Sequence, residues 1–332
     1  MDKIAQSLLP DSRVMITGGL GFIGSNLAKR LVDLNAEVVL VDSLIPESGG
    51  NLFNIRGIED RVQVHISDLR DETTISRLVA KQDYLFNLAA VTSHVSSMQN
   101  PYTDLEMNCR AQLSVLEACR KHNPNIKIVF TSTRQVYGKP QYLPVDERHP
   151  LRPVDVNGIN KMAAEHYHIL YHNIYGIRCC VLRLTNTYGP HMRVKDSLQM
   201  FLGYWIRLSI EGKPIVVYGE GTQVRDFNYV DDVVEGLLLA ATAEEANGKI
   251  LNLGSNDPIS LKDLAKLLVQ LNSRGEYQLE PFPSERRMID IGSYYADYSL
   301  MHSILGWEPK ISLKEGLELT LNFYKKHLTE YL

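Results

Sequence analysis

The run Gly18-Gly19-Leu20-Gly21-Phe22-Ile23-Gly24 is the first stretch of the chain whose residue types and spacing could do chemistry. Gly19, Gly21 and Gly24 fit G-x-G-x-x-G, and Gly18, Gly21 and Gly24 fit the related G-x-x-G-x-x-G. Glycine serves there for a tight turn, for close backbone approach to a pyrophosphate, and for helix-on-strand packing. A helix opening immediately afterwards offers free N–H groups and a partial positive charge to the anion. Asp42 closes the next β-branched run, where a carboxylate accepts hydrogen bonds from an adenosine ribose and repels a 2′-phosphate. Ser43 follows it in place of an arginine, so the pattern predicts NAD and not NADP.

Such residues need a strand before them and a helix after them, and the flanking sequence supplies both. Strand-like runs at 14–17, 37–41, 62–66, 84–88, 126–131 and 178–184 alternate with helical patterns at 22–34, 72–80, 102–122 and 157–175. Alternation at this spacing specifies a parallel sheet covered on both faces. The fold class is therefore α/β: a Rossmann-type, doubly wound parallel sheet with a smaller, interleaved C-terminal α/β substrate domain. Beyond Gly189 the alternation breaks down and Pro and Gly punctuate more often. Residues 1–185 are assigned to the cofactor domain and 186–332 to the substrate domain, with 228–255 expected to return to the main sheet.

With 332 residues, 44% of them hydrophobic and 22% charged, the chain has the composition of a globular protein with a large core. A net charge of −4 argues against nucleic acid as a partner. No apolar run approaches the ~18 residues of a membrane span, and the N-terminus lacks a signal-peptide pattern, so a cytoplasmic, membrane-free protein is expected. Cys109, Cys119, Cys179 and Cys180 form no CxxC pair and read as reduced thiols, with no metal site.

Several further segments resemble the extended short-chain dehydrogenases that modify nucleotide sugars, the group typified by UDP-galactose 4-epimerase. They include Asp68-Leu69, Asn87-Leu88-Ala89-Ala90, Asn108, Thr131-Ser132-Thr133, Val136-Tyr137-Gly138, Asn186-Thr187-Tyr188-Gly189-Pro190 and Val224-Arg225-Asp226-Phe227. Arg287, Asp290 and Leu305-Gly306-Trp307 complete the series. The resemblance implies NAD as cofactor and a nucleotide-diphosphate sugar, a UDP-sugar first, as substrate. Gly18, Gly21, Phe22, Ile23, Gly24, Asp42, Ser43, Asp68, Leu69, Leu88, Ala89, Ala90, Asn108, Thr131 and Lys161 would hold the cofactor. Ser93, Thr133, Asn186, Arg225, Arg287 and Asp290 would hold the substrate, the two arginines offsetting its diphosphate.

In the family a Ser or Thr, a Tyr and a Lys do the chemistry, the last two spaced Y-x-x-x-K on one helix. The tyrosine takes a sugar hydroxyl proton while hydride passes to the nicotinamide, and the lysine lowers the phenol's pKa. Thr133 and Lys161 fit two of these positions, but Asn157 stands where the tyrosine belongs. A carboxamide has no proton to exchange near neutral pH. Three explanations stand: a working enzyme whose base is His94, Lys161, Tyr137, His191 or a water held by Thr133 and Asn157; a weakened relative that still binds NAD and a nucleotide sugar; or an engineered Tyr-to-Asn change.

The first explanation leads, with Thr133, Lys161, Asn157 and His94 as the catalytic set. His94 lies in the loop that faces the sugar in the family, and an imidazole suits the task. Dehydratases of the family carry an acidic residue just after the Ser/Thr, and decarboxylases tend to carry Glu at the position of Gln135. Arg134 and Gln135 supply no acid, so reversible epimerisation is the expected reaction, with dehydratase, decarboxylase or binding-only readings as alternatives. Arg134 itself is expected to pair with a surface carboxylate, the other reading being contact with a charged sugar. The helices at 102–122 and 157–175 match those that make a dimer contact in relatives, which implies a homodimer.

Overall fold

The computed structural model describes residues 11–46, 48–283 and 290–332. β-Branched runs in the first half become parallel strands sheathed on both faces: β1 (Arg13–Thr17), β2 (Glu37–Asp42), β3 (Val62–Ile66), β4 (Tyr84–Asn87), β5 (Lys127–Thr133) and β6 (Arg178–Leu184). They lie in the order 3-2-1-4-5-6, every pair parallel, and Ile250–Leu253 adds a seventh parallel strand outside β6. This is the Rossmann-type doubly wound order, whose crevice opens at the carboxyl ends of β1 and β4, where the strand order reverses.

Helix α1 (Phe22–Asp33) follows β1 and buries Leu27, Ala28, Leu31 and Val32 against one face of the sheet. Between β3 and β4 lies α2 (Glu72–Val79); α3 (His94–Gln99), α4 (Pro101–Leu105) and α5 (Ala111–His122) separate β4 from β5, and α6 (Val156–Tyr175) separates β5 from β6. The helical pattern at 102–122 is not one regular α-helix. A π-helical turn, Glu106–Arg110, joins α4 to α5. Gln112 fits that irregularity: its amide donates to the Met107 carbonyl at 3.1 Å and to Ala89 O at 3.2 Å, while Asn87 donates to its oxygen at 2.7 Å. A π turn of this kind is common where a helix borders a functional site.

Gly176, at φ 70°, ends α6 as its sequence position predicts. Asp155 starts that helix, its Oδ1 accepting from Gly158 N at 2.7 Å.

After β6 the chain leaves the sheet for an annex. There β7 (Asn186–Tyr188) pairs in parallel with β10 (Phe227–Tyr229), with α7 (Phe201–Glu211), β8 (Ile215–Tyr218) and β9 (Val224–Arg225) between them. Helix α8 (Val230–Thr242) then leads back to β11 (Ile250–Leu253), the seventh strand of the main sheet. The chain returns to the annex through β12 (Ile259–Ser260), α9 (Leu261–Asn272) and β13 (Tyr277–Glu280), and closes with α10 (Ser299–Leu305) and α11 (Leu313–His327). One large apolar core joins the α1 face of the sheet to the annex, and a second fills the face under α2 and α5. Among the described residues, no helix is long and apolar enough to cross a membrane.

Candidate active site

A cleft of about 980 Å³ runs from the glycine loop across the ends of β4 and β5 to the annex. At its floor the loop after β1 is packed too tightly for side chains. A Cβ on Gly24 would stand 2.2 Å from the Gly18 carbonyl oxygen, and Gly18 has φ +68° with a Cβ position 3.0 Å from Ala89 Cα. No side chain caps the start of α1, so its first amides remain free to meet an anion. Asp42 accepts from Leu20 N at 3.1 Å and Leu44 N at 2.9 Å, which fixes its carboxylate at the cleft edge. Burial raises its pKa, and those amides and that of Ser43 act against the rise. This donor set fits a dinucleotide: unobstructed backbone for the pyrophosphate and a fixed carboxylate for the ribose.

Phe22, Ile23, Ser43, Leu69, Leu88, Ala89, Ala90 and Thr131 line the same cleft. Asp68 and Asn108 do not. Arg70 claims the Asp68 carboxylate at 2.7 Å, an ion pair no local pattern announces. Asn108 is buried behind the wall and clamps Val91, accepting from its N at 3.2 Å and donating to its O at 2.8 Å. It shapes the loop that carries Ser93 and His94.

Thr133, His94, Asn157 and Lys161 all face this cleft. Thr133 ends β5 and its Oγ1 accepts from Gln135 N at 3.3 Å. Lys161 Nζ donates to Thr131 O at 3.0 Å and lies 4.8 Å from the centre of the Phe130 ring. Burial pushes its pKa down to about 8, while Asp104 and Glu165 favour its charged form. The Asn157 amide donates to Val91 O at 2.8 Å and to Asp104 Oδ2 at 3.0 Å, and Asn160 donates to Asp104 Oδ1 at 2.8 Å. Buried Asp104 is thus held by two carboxamides one helical turn apart. The surroundings are built around Asn157.

His94 Nδ1 lies 3.1 Å from Asp155 Oδ2, with the imidazole partly exposed to the cleft and the carboxylate buried. The approach is off the line of a well-formed hydrogen bond, Nδ1 having no partner by strict angular criteria, so the contact counts as an electrostatic pair. Burial would raise the Asp155 carboxyl pKa, yet His94, the Gly158 amide and Arg134 together hold it below the usual value. No sequence pattern singled out Asp155, because its pairing with His94 is tertiary.

The other two sequence candidates for the base are committed elsewhere. Tyr137 is fully buried, donates to Asn252 Oδ1 at 2.7 Å and accepts from Arg183 at 2.9 Å; burial pushes its pKa up to about 12. His191 is locked between Ser25 at 2.9 Å and Lys29 at 3.3 Å, and burial drives its pKa down to about 3.

On the annex wall, Asn186 donates to Asp226 O at 2.8 Å, and Arg225 is held by the carbonyls of Val224 and Gly292 and, at 3.4 Å, by Asp290. Burial lowers the Arg225 pKa to about 10, with Arg134 adding to the effect. Ser93 lines the cleft while capping α3 through Ser96 N at 3.2 Å. Arg287 lies outside the described residues. Arg134 departs from expectation: it has no surface carboxylate partner and turns inward, donating to Asn186 Oδ1 at 3.1 Å. Its position at the end of β5, beside Asn186 and Tyr294, sets it on the cleft wall and not among the surface carboxylates. The four cysteines are free, and among the described residues no group of His, Cys, Asp and Glu could hold a metal ion.

Residues 14–254 match the model of the NAD dependent epimerase/dehydratase family. A Methanocaldococcus jannaschii protein named "Putative UDP-glucose 4-epimerase" is 33% identical over 317 residues, covering 95% of this chain and 99% of its own. UDP-glucuronic acid decarboxylase 1 of Xenopus tropicalis is 30% identical over 328 residues, 95% of this chain and 73% of its own. The crystal structure of a Thermotoga maritima UDP-glucose 4-epimerase with UDP-glucose superposes with a TM-score of 0.88 at 30% identity, over 95% of this chain and 99% of that one.

Proposed function

Because the chain belongs to the NAD dependent epimerase/dehydratase family, we propose that it is an NAD-dependent epimerase of nucleotide-diphosphate sugars, a UDP-sugar first among them. NAD is its cofactor and, when bound, supplies a reversible hydride acceptor beside the sugar carbon. The observation that carries the reading is one cleft that joins the glycine cradle to Thr133, His94 and Lys161 and to the Asn186–Arg225 wall.

His94 takes the proton of the sugar hydroxyl as that carbon is oxidised, and gives it back when the carbon is reduced from the opposite face. Asp155, buried at 3.1 Å from Nδ1, steadies the imidazolium that forms in between. The Thr133 hydroxyl orients the reacting oxygen. Lys161, anchored on Thr131 O, sets a positive charge beneath the cofactor ribose. Asn157 moves no proton; with Asp104 it holds the Val91 carbonyl and so the loop that carries His94. Asn186, Arg225 and Arg287 hold the nucleotide diphosphate, Asp290 its ribose, and Ser93 the sugar. The lack of a carboxylate at Arg134 and Gln135 weighs against a dehydratase.

Incubation of the NAD-loaded protein with UDP-, dTDP-, GDP- and CDP-hexoses and with UDP-glucuronate, followed by proton NMR, tests the proposal. Interconversion of one epimeric pair is expected, and its loss in His94→Gln. Tight nucleotide-sugar binding with no interconversion of any of these sugars, the uronate included, would favour the binding-only reading instead.

A homodimer fits the exposure of Tyr102, Ile159, Leu170 and Ile174 along α4 and α6, faces too apolar to be left to water. Light scattering at micromolar concentration reads the stoichiometry, and a monomer there would refute it.

A further inference from the structure

Arg134 is a cation in the cleft that the roles above leave unused. It opens the turn after Thr133, at the reacting end of β5. Nη2 donates to Asn186 Oδ1 at 3.1 Å, and the guanidinium lies 5.6 Å from the centre of the Tyr294 ring. Nη1 is buried and has no hydrogen-bond partner. Asp226, Asp290 and Asp155 act on it only at a distance, and among the described residues no carboxylate lies within 4.0 Å of it. Among the described residues the two buried arginines are engaged: Arg183 by Glu165 at 2.6 Å and by Tyr137, Arg225 by two carbonyls and Asp290. A buried guanidinium N–H without a partner is costly unless a ligand completes it.

We propose that Arg134 is a specificity-determining residue that grips the carboxylate of an acidic sugar, making the substrate a nucleotide-linked uronic-acid-type sugar and not a neutral hexose. The inference rests on the nucleotide-sugar reading above and names the substrate class of the same cleft. The guanidinium plane is fixed by Asn186 and Tyr294, which leaves Nη1 as the free tine of a fork suited to a carboxylate. Asp226 does not take that place. It is fully buried, its Oδ2 accepts from Ala296 N at 3.0 Å, and its Oδ1 has no hydrogen-bond partner. Burial pushes the Asp226 carboxyl up to about 7, so near neutral pH it compensates Arg134 only in part.

The grip also bears on the outcome of the reaction. A carboxylate paired with Arg134 is stabilised in the ground state, and its departure as neutral carbon dioxide would forfeit that pairing as the transition state forms. The acid is therefore retained and the ring carbon inverts, with no atom gained or lost.

The test uses the NAD-loaded protein, Arg134→Met, which keeps an unbranched stem of similar length, and Arg134→Lys. Calorimetry gives Kd for UDP, UDP-glucose and UDP-glucuronate, and proton NMR follows turnover of the two sugars. The wild type should favour UDP-glucuronate over UDP-glucose. Arg134→Met should lose affinity for UDP-glucuronate by about 30-fold or more while UDP and UDP-glucose stay within about threefold, and Arg134→Lys should recover part of the loss. Equal weakening of UDP itself would place Arg134 on the diphosphate and overturn the proposal, as would a wild type that binds the neutral sugar better. Release of carbon dioxide with a pentose product would overturn retention of the acid. Absence of any binding of the three would instead sink the nucleotide-sugar reading on which the proposal stands.

Discussion

Replacing Asp155 with Asn isolates the charge behind His94. Asp155 does two jobs: its Oδ1 caps α6 through Gly158 N at 2.7 Å, and its Oδ2 faces His94 Nδ1 at 3.1 Å. Asparagine is as good a cap as aspartate, so the variant keeps the helix start while it removes the negative charge and turns the acceptor that faces His94 and Gln135 into an amide donor. Contacts to a charged group contribute about 1.5–3 kcal/mol. The His94 side chain keeps 30% of its exposure and the contact is off-line, so solvent screening reduces this to about 1–2 kcal/mol. That loss corresponds to a fall in kcat of roughly 5- to 30-fold, since about 1.4 kcal/mol is tenfold. Initial rates of epimer interconversion, measured by NMR from pH 6 to 9, read the effect, and a melting curve checks the fold. KM should change little, because Asp155 lies behind the imidazole and not against the sugar. Asp155→Ala should show the same rate loss plus about 1 kcal/mol of stability from the missing cap, near 2 °C in Tm for a chain of this size. An Asp155→Asn enzyme with wild-type kcat and an unchanged pH profile would refute the role assigned to the pair.

Asn157→Tyr should not gain activity. The single phenol O–H cannot donate to both Val91 O and Asp104, so one of these acceptors loses a partner at a cost of about 1–3 kcal/mol, read by urea unfolding alongside the NMR assay; a faster enzyme would contradict this. Lys161 holds its proton less tightly folded (about 8) than unfolded (10.5), so the unfolded chain binds more protons between those values and stability gains as pH rises through that window. Relative to Lys161→Met, the wild type should gain roughly 2–3 kcal/mol from pH 7 to above 10, and parallel unfolding curves across that range would exclude the shift. Gly24→Ala should abolish NAD binding in calorimetry, because its Cβ would sit 2.2 Å from the Gly18 carbonyl; wild-type affinity would rule out the cradle. Asp42→Ala should weaken NAD about tenfold and relax discrimination against NADP, and unchanged selectivity would free Asp42 of that role.

The glycine cradle, Asp42 and the strand order were legible in the chain because backbone sterics and short-range periodicity dictate them. Gly18 and Gly24 are glycines because a carbonyl or a neighbouring backbone occupies the Cβ position. Thr133, Asn157 and Lys161 were placeable because they lie at the end of a strand and along the face of one helix. What escaped was set by packing between distant segments. Asp155 meets His94 across a loop, and Asp104 gives no local sign that it is buried or that Asn157 and Asn160 share it. Tyr137 and His191 were nominated by residue type, yet burial and partners decide their protonation. The inward turn of Arg134 depends on Asn186 and Tyr294, both far along the chain.

The return of β11 to the outer side of β6 has a consequence for how the chain is made. β6 pairs with β5 as soon as Leu184 has emerged, but its other edge waits for Ile250–Leu253. Until then a largely apolar strand, with Cys179, Cys180, Val181 and Leu182 at its centre, offers unpaired backbone groups while the first half of the annex is synthesised. At ~5–20 residues per second that interval lasts several seconds, long enough for a chaperone or another nascent chain to find the edge. A fragment ending near residue 185 would carry this open edge permanently, so aggregation, not a soluble cofactor-binding half, is the expected fate of such a truncation.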